Sequence, residues 1–156
     1  MNLKNKNMRI YVAGPLFNEM EIERNHRICN LLEDSGFKTY LPQRDGGLFF
    51  DLRVKGYSDK EIKEHIFNSD FNAILDCDII LCLLDGRVLD EGMCIELGIA
   101  YALKKVCIGF KTDYRCQDLF GNNIMLEGTI SKIFRKKDDL LKHLKEIEVK
   151  QDVLTF

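Results

Sequence analysis

The sequence predicts an α/β domain in which helices cover both faces of an open parallel sheet of five strands. Short apolar segments alternate with amphipathic helical segments along most of the 156 residues. The segment 78–84, DIILCLL, is continuously apolar after its first residue, which is typical of a strand buried on both faces of a parallel sheet. The two prolines, Pro15 and Pro42, each follow closely behind a predicted strand. These observations indicate parallel strands joined by crossover helices.

The strands are predicted from apolar runs that end at turn-forming residues. The first run ends at Gly14 and the second at Pro42, and both residue types commonly interrupt regular structure. The other three runs follow at intervals long enough to hold a helix between them. The predicted strands are residues 9–13, 37–41, 78–84, 106–110 and 129–134.

The helices are predicted from apolar residues that recur at helical spacing. Ser58 precedes Glu61 by three residues, which is the spacing of an N-terminal capping box. Segments 43–57 and 111–128 are expected to be loop, the second with one helical turn. The predicted helices are residues 18–34, 58–76, 91–105 and 138–149.

This order of elements is typical of flavodoxin-like and Rossmann-like sheets. The whole chain, residues 1–156, is expected to form a single domain, because its length fits one domain with a substantial core. In such sheets ligands bind outside the carboxyl ends of the strands. Residues that directly follow a strand are therefore the first candidates for function.

The composition excludes several classes of partner. With 23 basic and 25 acidic residues the net charge is −2, so no nucleic acid polymer and no membrane surface is expected as a partner. The apolar run near the N-terminus is too short for a secretory signal or a membrane span. The six cysteines contain no C-x-x-C pair, which argues against a zinc site and favours reduced thiols in the cytoplasm.

Sequence motifs that bind common cofactors are absent. The first predicted strand is followed by AGPLFNEM rather than by a G-x-G-x-x-G dinucleotide loop. The chain has neither a G-x-x-x-x-G-K-[ST] phosphate loop nor a G-x-S-x-G nucleophile elbow. We therefore expect no cofactor and no metal ion, and we do not expect NAD chemistry, NTP hydrolysis or a serine nucleophile.

Two carboxylates interrupt the apolar faces of predicted helices. Glu96 lies three residues after Met93 and four before Ala100, and Asp70 lies four residues after Ile66. A carboxylate on a core-facing side is costly unless it is paired or reaches a cleft. Each residue alone could be a boundary carboxylate that pairs with Lys or Arg. Two such residues, on helices that flank the same buried strand, favour a cleft.

Asp90 is a third candidate, between the strand 78–84 and the helix 91–105. Asp is a common helix N-cap, and this role alone explains its position. The same position also lies at the carboxyl end of a strand, where a ligand is expected, so Asp90 could serve both purposes. Paired carboxylates in a cleft suit the cleavage of glycosidic bonds, with one as nucleophile and another group transferring the proton.

Four segments resemble the nucleoside 2-deoxyribosyltransferase family, over about residues 9 to 125. The D-x-G-x-x-x-E-x-G-x-A block is the most specific of them, and the first strand motif is weak alone. The segments are Tyr11-Val-Ala-Gly-Pro, Asn68-Ser-Asp70, Asp90-Glu-Gly-Met-Cys-Ile-Glu96-Leu-Gly-x-Ala and Asn122-Asn123-Ile-Met125.

The resemblance implies a role for each matching residue. Glu96 is expected to be the nucleophile on C1′ of deoxyribose, and Asp70 to contact the base and move its proton. Asp90 is expected to bind the sugar hydroxyls and hold Glu96, which Tyr11 orients by a hydrogen bond. The expected substrate-binding residues are Gln43 at the base edge, Gly14 and Gly92 where backbone approaches the ligand, and Asn123 and Met125, which would reach the sugar's 5′ side in a neighbouring subunit.

The resemblance also implies the partners, namely a nucleoside or nucleotide, a free nucleobase, and a second copy of the chain in a homodimer or larger assembly. Related deoxynucleoside 5′-monophosphate N-hydrolases carry Ser and Arg in the loop after the first strand. Here that loop is Gly14-Pro-Leu-Phe-Asn18, which favours the transferase. Arg87 could favour a phosphate-bearing substrate or simply pair with Asp85 or Glu91.

Two alternative functions stay open on the sequence alone, a hydrolase that cleaves the N-glycosidic bond and a non-catalytic nucleotide-sensing module. A sensor would leave Glu96 on its apolar face unexplained. Base preference, the choice between transfer and hydrolysis, and the size of the assembly do not follow from the sequence.

Overall fold

The computed structural model describes residues 8–114 and 123–154, with side chains of the last helix through residue 148. All neighbouring strands pair in parallel, in the order β2-β1-β3-β4-β5. The predicted open parallel sheet of five strands is therefore confirmed. The strands are β1 Arg9–Ala13, β2 Lys38–Tyr40, β3 Ile79–Leu83, β4 Val106–Phe110 and β5 Lys132–Phe134.

Helices cover both faces of this sheet, as predicted. Helices α1 and α6 share a buried apolar cluster with one face, and α3, α4 and α5 share a second cluster with the other. The helices are α1 Glu19–Asp34, α2 Phe49–Val54, α3 Asp59–Asp76, α4 Glu91–Ala102, α5 Ile124–Thr129 and α6 Lys137–Leu154.

The alternation of side chains along β1 decides what faces the functional helices. Ile10 and Val12 belong to the cluster of α1 and α6, whereas Tyr11 and Ala13 belong to the cluster of α3 and α4. Successive residues of a strand point to opposite faces. Tyr11 is therefore buried beneath the two helices that carry Asp70 and Glu96.

The expectation of a loop over residues 43–57 is wrong, because this segment contains α2 and a π-helical turn, Pro42–Gly46. Asp45 accepts a hydrogen bond from the backbone N–H of Leu41 at 2.8 Å. The Arg44 guanidinium bonds both Asp45 and Glu33 at 2.9 Å. These local polar contacts stabilise the turn, although it ends at two glycines, Gly46 and Gly47.

Several element boundaries also differ from the predictions. Helix α4 ends at Ala102 rather than at residue 105, because Lys104 adopts the left-handed conformation with φ 60°. Helix α5 occupies residues 124–129, so β5 begins at Lys132 rather than at residue 129. Of the loop expected over 111–128, residues 115–122 lie outside the described residues. Among the helices that are described, none is long and apolar enough to cross a membrane.

The predicted capping box is present at the start of α3. The Ser58 hydroxyl accepts from the backbone N–H of Glu61 at 3.4 Å, and the Glu61 carboxylate accepts from the backbone N–H of Ser58 at 2.9 Å. We expect Ser58→Ala to lower the free energy of unfolding by about 1 kcal/mol, the usual value of a lost cap. Urea unfolding measures this, and Ser58→Asp, which keeps an acceptor, should remain near wild type. An unchanged midpoint for Ser58→Ala would show that the cap contributes nothing.

Candidate active site

The candidate site is a cavity of about 390 Å³ bounded by α2, α3 and α4. Its wall is mostly apolar and aromatic, but two carboxylates from different helices, Asp70 and Glu96, reach it. A mostly apolar cavity with a few convergent polar groups is typical of a small-molecule site. The other lining residues are Phe49, Lys63, Ile66, Phe67, Phe71, Ile74, Gly92, Ile95 and Ile99.

Glu96 lies partly buried on α4 and accepts a hydrogen bond from a residue of the neighbouring strand β1. The Tyr11 hydroxyl donates to Glu96 Oε1 at 2.7 Å. Burial raises the pKa of Glu96 from 4.5 to about 8, and the charges of Asp70 and Asp90 raise it further, while the Tyr11 bond acts in the opposite direction. This environment therefore favours the protonated form of the carboxyl at neutral pH.

Tyr11 is fully buried, with an exposed fraction of 0%. Burial, followed by the neighbouring charge of Glu96, raises the pKa of Tyr11 well above its usual value of 10. Its hydroxyl consequently stays protonated at any working pH and donates a hydrogen bond. The Tyr11 hydroxyl thus holds one oxygen of Glu96, Oε1, in place.

Asp70 has a corresponding tyrosine partner. The Tyr40 hydroxyl at the end of β2 donates to Asp70 Oδ1 at 2.9 Å. Burial raises the pKa of Asp70 from 3.8 to about 6, against the opposing effects of the Tyr40 bond and of His65. The two carboxyl groups therefore titrate at different pH values, on either side of neutrality.

The two tyrosines stack on each other, so the two carboxylates are connected through one aromatic pair. The rings of Tyr11 and Tyr40 have centroids 5.3 Å apart and an interplanar angle of 20°. The register of the parallel strands pairs these two residues directly. Strand pairing in the sheet therefore sets the spacing of the two hydrogen-bond donors.

Asp90 is the N-cap of α4, as one of its two sequence interpretations proposed. Its Oδ2 accepts from the backbone N–H of Met93 at 2.7 Å. A Cβ on Gly92 would lie 3.1 Å from that same oxygen, so glycine keeps the capped turn open beside the cavity. Gly92 lines the cavity, and Asp90 acts on Glu96 through its charge.

Gln43 and Gly14 are not among the residues that line the carboxylate cavity. The Gln43 amide is buried, donates to the Ile22 carbonyl and accepts from Asn25 Nδ2, both at 2.9 Å. In this structure it therefore ties the π-helical turn to α1 rather than facing the cavity. A Cβ on Gly14 would lie 3.0 Å from Leu83 Cβ, so this glycine allows close packing against β3, and its approach to a ligand stays a prediction.

Asn123 and Met125 lie outside the carboxylate cavity, at the start of α5. Asn123 caps this helix by accepting from the backbone N–H of Met125 at 2.9 Å. Both line a separate groove of about 600 Å³ between α4 and α5. Met125 is 76% exposed there, beside exposed Ile95. Their predicted reach into a neighbouring subunit stays a prediction, and Asn122 lies outside the described residues.

Asp85 is held by partners other than Arg87. It accepts from the backbone N–H and the hydroxyl of Thr112, both at 2.6 Å, and from the backbone N–H of Asp113 at 2.7 Å. An ion pair with Arg24 measures 3.8 Å. These bonds fix the loops after β3 and β4 to each other.

Tyr40 and Gly46 lie against Asp70, and the sequence alone does not point to either residue. In the sequence, a tyrosine in a short strand looks the same as a core residue, and Gly46 falls in a segment whose glycines predict a loop. The parallel pairing of Tyr40 with Tyr11 and their hydrogen bonds to Asp70 and Glu96 bring the two hydroxyls to the same cavity. In the part of the chain that the structure describes, no cluster of three or more His, Cys, Asp or Glu is placed to hold a metal ion.

The fold and the site define an α/β protein with two hydrogen-bonded carboxylates in an apolar cavity. The sequence profile of the family described as "Nucleoside 2-deoxyribosyltransferase" matches residues 10–141. The chain belongs to the nucleoside 2-deoxyribosyltransferase family, whose members act on nucleosides and nucleobases.

Three relatives illustrate this similarity. A nucleoside deoxyribosyltransferase from Limosilactobacillus fermentum is 27% identical over 125 residues, which cover 77% of this chain and 74% of the relative. The solved 2-deoxyribosyltransferase of Bacillus psychrosaccharolyticus superposes with a TM-score of 0.70 at 23% identity, over 85% of this chain and 90% of that one. A CMP N-glycosidase from Clostridium botulinum shares the fold with a TM-score of 0.55 at 20% identity, over 88% and 98% of the two chains.

The raised pKa of Glu96 makes a prediction about stability. Because the folded-state pKa of about 8 exceeds the ordinary 4.5, this carboxyl stabilises the fold below pH 4.5 and loses that contribution as pH rises toward 8. We expect Glu96→Gln, which stays neutral and can still accept from Tyr11, to gain Tm relative to wild type between pH 5 and pH 8.5. Each kcal/mol gained corresponds to about 2–4 °C.

Thermal unfolding at several pH values measures this difference. The matched control is Glu91→Gln, at an exposed position on the same helix. The difference in Tm between Glu91→Gln and wild type should not grow as the pH rises. A constant difference between Glu96→Gln and wild type across this range would contradict the assigned environment of Glu96.

Proposed function

We propose that the protein is a nucleoside 2-deoxyribosyltransferase, with residues 1–156 as one catalytic domain, that moves 2-deoxyribose between nucleobases through a covalent deoxyribosyl–Glu96 intermediate. The observation that carries this proposal is the placement of Glu96 and Asp70 in one apolar cavity, each bonded by its own tyrosine. Retention of configuration follows from two successive displacements at C1′.

In the first half-reaction Glu96 attacks C1′ of the bound deoxynucleoside. The O–C1′ bond forms while the C1′–N bond breaks, and the electron pair of that bond stays on the base nitrogen. Asp70 gives its proton to the departing base as general acid. Tyr11 holds Oε1 of Glu96, so the attacking oxygen is Oε2.

In the second half-reaction an acceptor base attacks C1′ of the deoxyribosyl-enzyme. Its ring N–H loses a proton to Asp70, its nitrogen bonds to C1′, and Glu96 leaves as a carboxylate. No cofactor or metal ion enters either half-reaction. We assign Asp90 to the sugar hydroxyls and to holding Glu96, Gly14 and Gly92 to close backbone approach, and Gln43 to the base edge after it releases α1.

The two carboxyl groups share one proton near neutral pH. Burial raises the pKa of Asp70 to about 6 and that of Glu96 to about 8, so between these values the pair holds one proton, which is favoured on Glu96 in the free enzyme. The reactive form carries it on Asp70, with Glu96 ionised. Both forms have the same net charge, so substrate binding needs to move a proton within the site rather than exchange it with solvent.

Hydrolysis is the second candidate function, since water can replace the acceptor base at the same intermediate. The fold that the chain shares with a CMP N-glycosidase supports hydrolysis as a candidate function. A hydrolase would release free 2-deoxyribose at a rate that does not depend on an added base, whereas a transferase would form a new nucleoside.

We further propose that the active unit is a homodimer or larger homo-oligomer. The groove between α4 and α5 carries exposed Met125, Ile95 and Val88. Asn123, which lines this groove, would complete the cavity of the neighbouring subunit at the 5′ side of the bound sugar.

The direct test is base exchange, followed by chromatography of a deoxynucleoside incubated with a different free base. We expect wild type to form the new deoxynucleoside and Glu96→Ala to lose several orders of magnitude in kcat, because the covalent route is gone. Glu91→Ala on the same helix is the control and should retain activity. Near-normal turnover by a folded Glu96→Ala would eliminate Glu96 as the nucleophile.

The shared proton predicts a bell-shaped dependence of kcat/KM on pH for the free enzyme. Below about pH 6 both carboxyls are protonated and no nucleophile is present, and above about pH 8 both are ionised and the leaving base has no proton donor. Activity should therefore be greatest between the two values. A rate that keeps rising through pH 9 would argue against Asp70 as the acid.

Shared sites predict complementation between two inactive variants, Glu96→Ala and Asn123→Ala. After subunit exchange, half of a statistical mixture of dimers are heterodimers, each with one intact site. About a quarter of wild-type activity should then return, if the sites act independently. If exchange is demonstrated by mass spectrometry of the dimers and the mixture stays inactive, Asn123 does not serve the neighbouring subunit.

A further inference from the structure

We propose that Tyr40 is a positioning residue for Asp70. Its hydroxyl donates a hydrogen bond to Oδ1, so that Oδ2 is the oxygen that exchanges the proton with the base. Gly46 provides the space for this arrangement. The inference deepens the proposed function, on which its kinetic part rests. Its structural part concerns Tyr40, Asp70 and Gly46 alone.

The geometry places Tyr40 so that it serves Asp70 and not Glu96. Its hydroxyl donates to Asp70 Oδ1 at 2.9 Å, whereas Glu96 receives its bond from Tyr11. The stack with Tyr11 at 5.3 Å fixes the plane of the Tyr40 ring. The donor is therefore preorganised, which is what a catalytic carboxylate requires of its supporting residues.

Gly46 fits against this hydrogen bond from the π-helical turn. A Cβ at this position would lie 2.6 Å from Asp70 Oδ1 and 2.8 Å from the Tyr40 hydroxyl oxygen. Both distances are too short for any side chain. The turn Pro42–Gly46 thus brings bare backbone against the Asp70–Tyr40 pair and closes the approach to Oδ1 from that side.

The two contacts together determine which oxygen of Asp70 reacts. Oδ1 accepts from Tyr40 and faces Gly46, so neither a proton nor a base nitrogen has room there. A carboxylic acid that donates to a base must carry its proton on an oxygen that faces the cavity. Asp70 also lines the cavity, and Oδ2 is the oxygen that remains for this task.

Other charged groups around Asp70 bear on its titration. His65, on the same helix, favours the ionised form, and Lys63 lines the same cavity. Across the cavity, the charge of Asp70 raises the pKa of Glu96. From β2, Tyr40 stabilises the carboxylate, and its own hydroxyl is kept protonated because burial and the Asp70 charge raise its pKa. Loss of the Tyr40 hydroxyl therefore favours the neutral form of Asp70.

The test is a titration of the Asp70 carboxyl carbon by NMR in protein labelled with carboxyl-¹³C aspartate. The Asp70 signal is identified by its absence in Asp70→Asn. Tyr40→Phe keeps the ring and its stack but removes the donor. We expect its Asp70 midpoint to rise by about 1 pH unit, the lower range for loss of a hydrogen bond to a charged group. Tyr101→Phe, at an exposed tyrosine on α4, is the matched control and should leave the midpoint unchanged.

Gly46→Ala gives a second measurement that keeps the ring hydroxyl. Its methyl group must displace Asp70 Oδ1, so we expect kcat to fall by about 10²-fold, as for other misplaced catalytic groups, with a smaller change in KM. Gly128→Ala, where a Cβ meets nothing within 4 Å, is the control for adding a methyl group to a helix.

The outcomes separate this inference from the proposed function. A raised Asp70 midpoint in Tyr40→Phe, together with an acid limb of kcat/KM that moves upward by the same amount, supports both. A raised midpoint in a protein without exchange or hydrolysis on any deoxynucleoside supports the Tyr40 assignment and refutes the function. An unchanged or lowered midpoint in folded Tyr40→Phe overturns the inference, whatever the activity.

Discussion

The hydrogen bond from Tyr11 to Glu96 is the interaction on which the site depends. A carboxyl group on the apolar side of α4 is costly to bury, and its raised pKa expresses that cost. The 2.7 Å bond from a fully buried tyrosine offsets part of it. To make that bond, β1 must turn Tyr11 toward α3 and α4. Asp90 caps α4, the helix that carries Glu96.

A second carboxyl group, that of Asp70, lies in the same cavity as Glu96. Asp70 approaches from α3 with its own tyrosine, and the two tyrosines stack because β1 and β2 run in parallel register. Like charges in one apolar cavity resist ionising together. A site that holds one proton for two carboxyls is suited to a reaction that needs a nucleophile and an acid at the same moment.

The sequence predicted the sheet and the carboxylates because both depend on simple patterns. Continuous apolar strands indicated the parallel sheet, and Glu96 and Asp70 broke otherwise apolar helix faces. Tyr40, Gly46 and the π-helical turn were missed because their contacts join segments that only the folded chain brings together. The contact of Gln43 with the base, which the resemblance implies, stays a prediction, and in this structure the Gln43 amide bonds Asn25 and Ile22.

The covalent step at Glu96 is the central claim, and trapping tests it most directly. A 2-deoxy-2-fluoro-arabinosyl nucleoside carries an electron-withdrawing fluorine that slows breakdown of the glycosyl-enzyme. After incubation and proteolysis, mass spectrometry should find the added fluoro-sugar on the peptide that contains Glu96, and none in Glu96→Gln. A label on another residue, or turnover of the nucleoside with no labelled peptide at any time, would contradict the account.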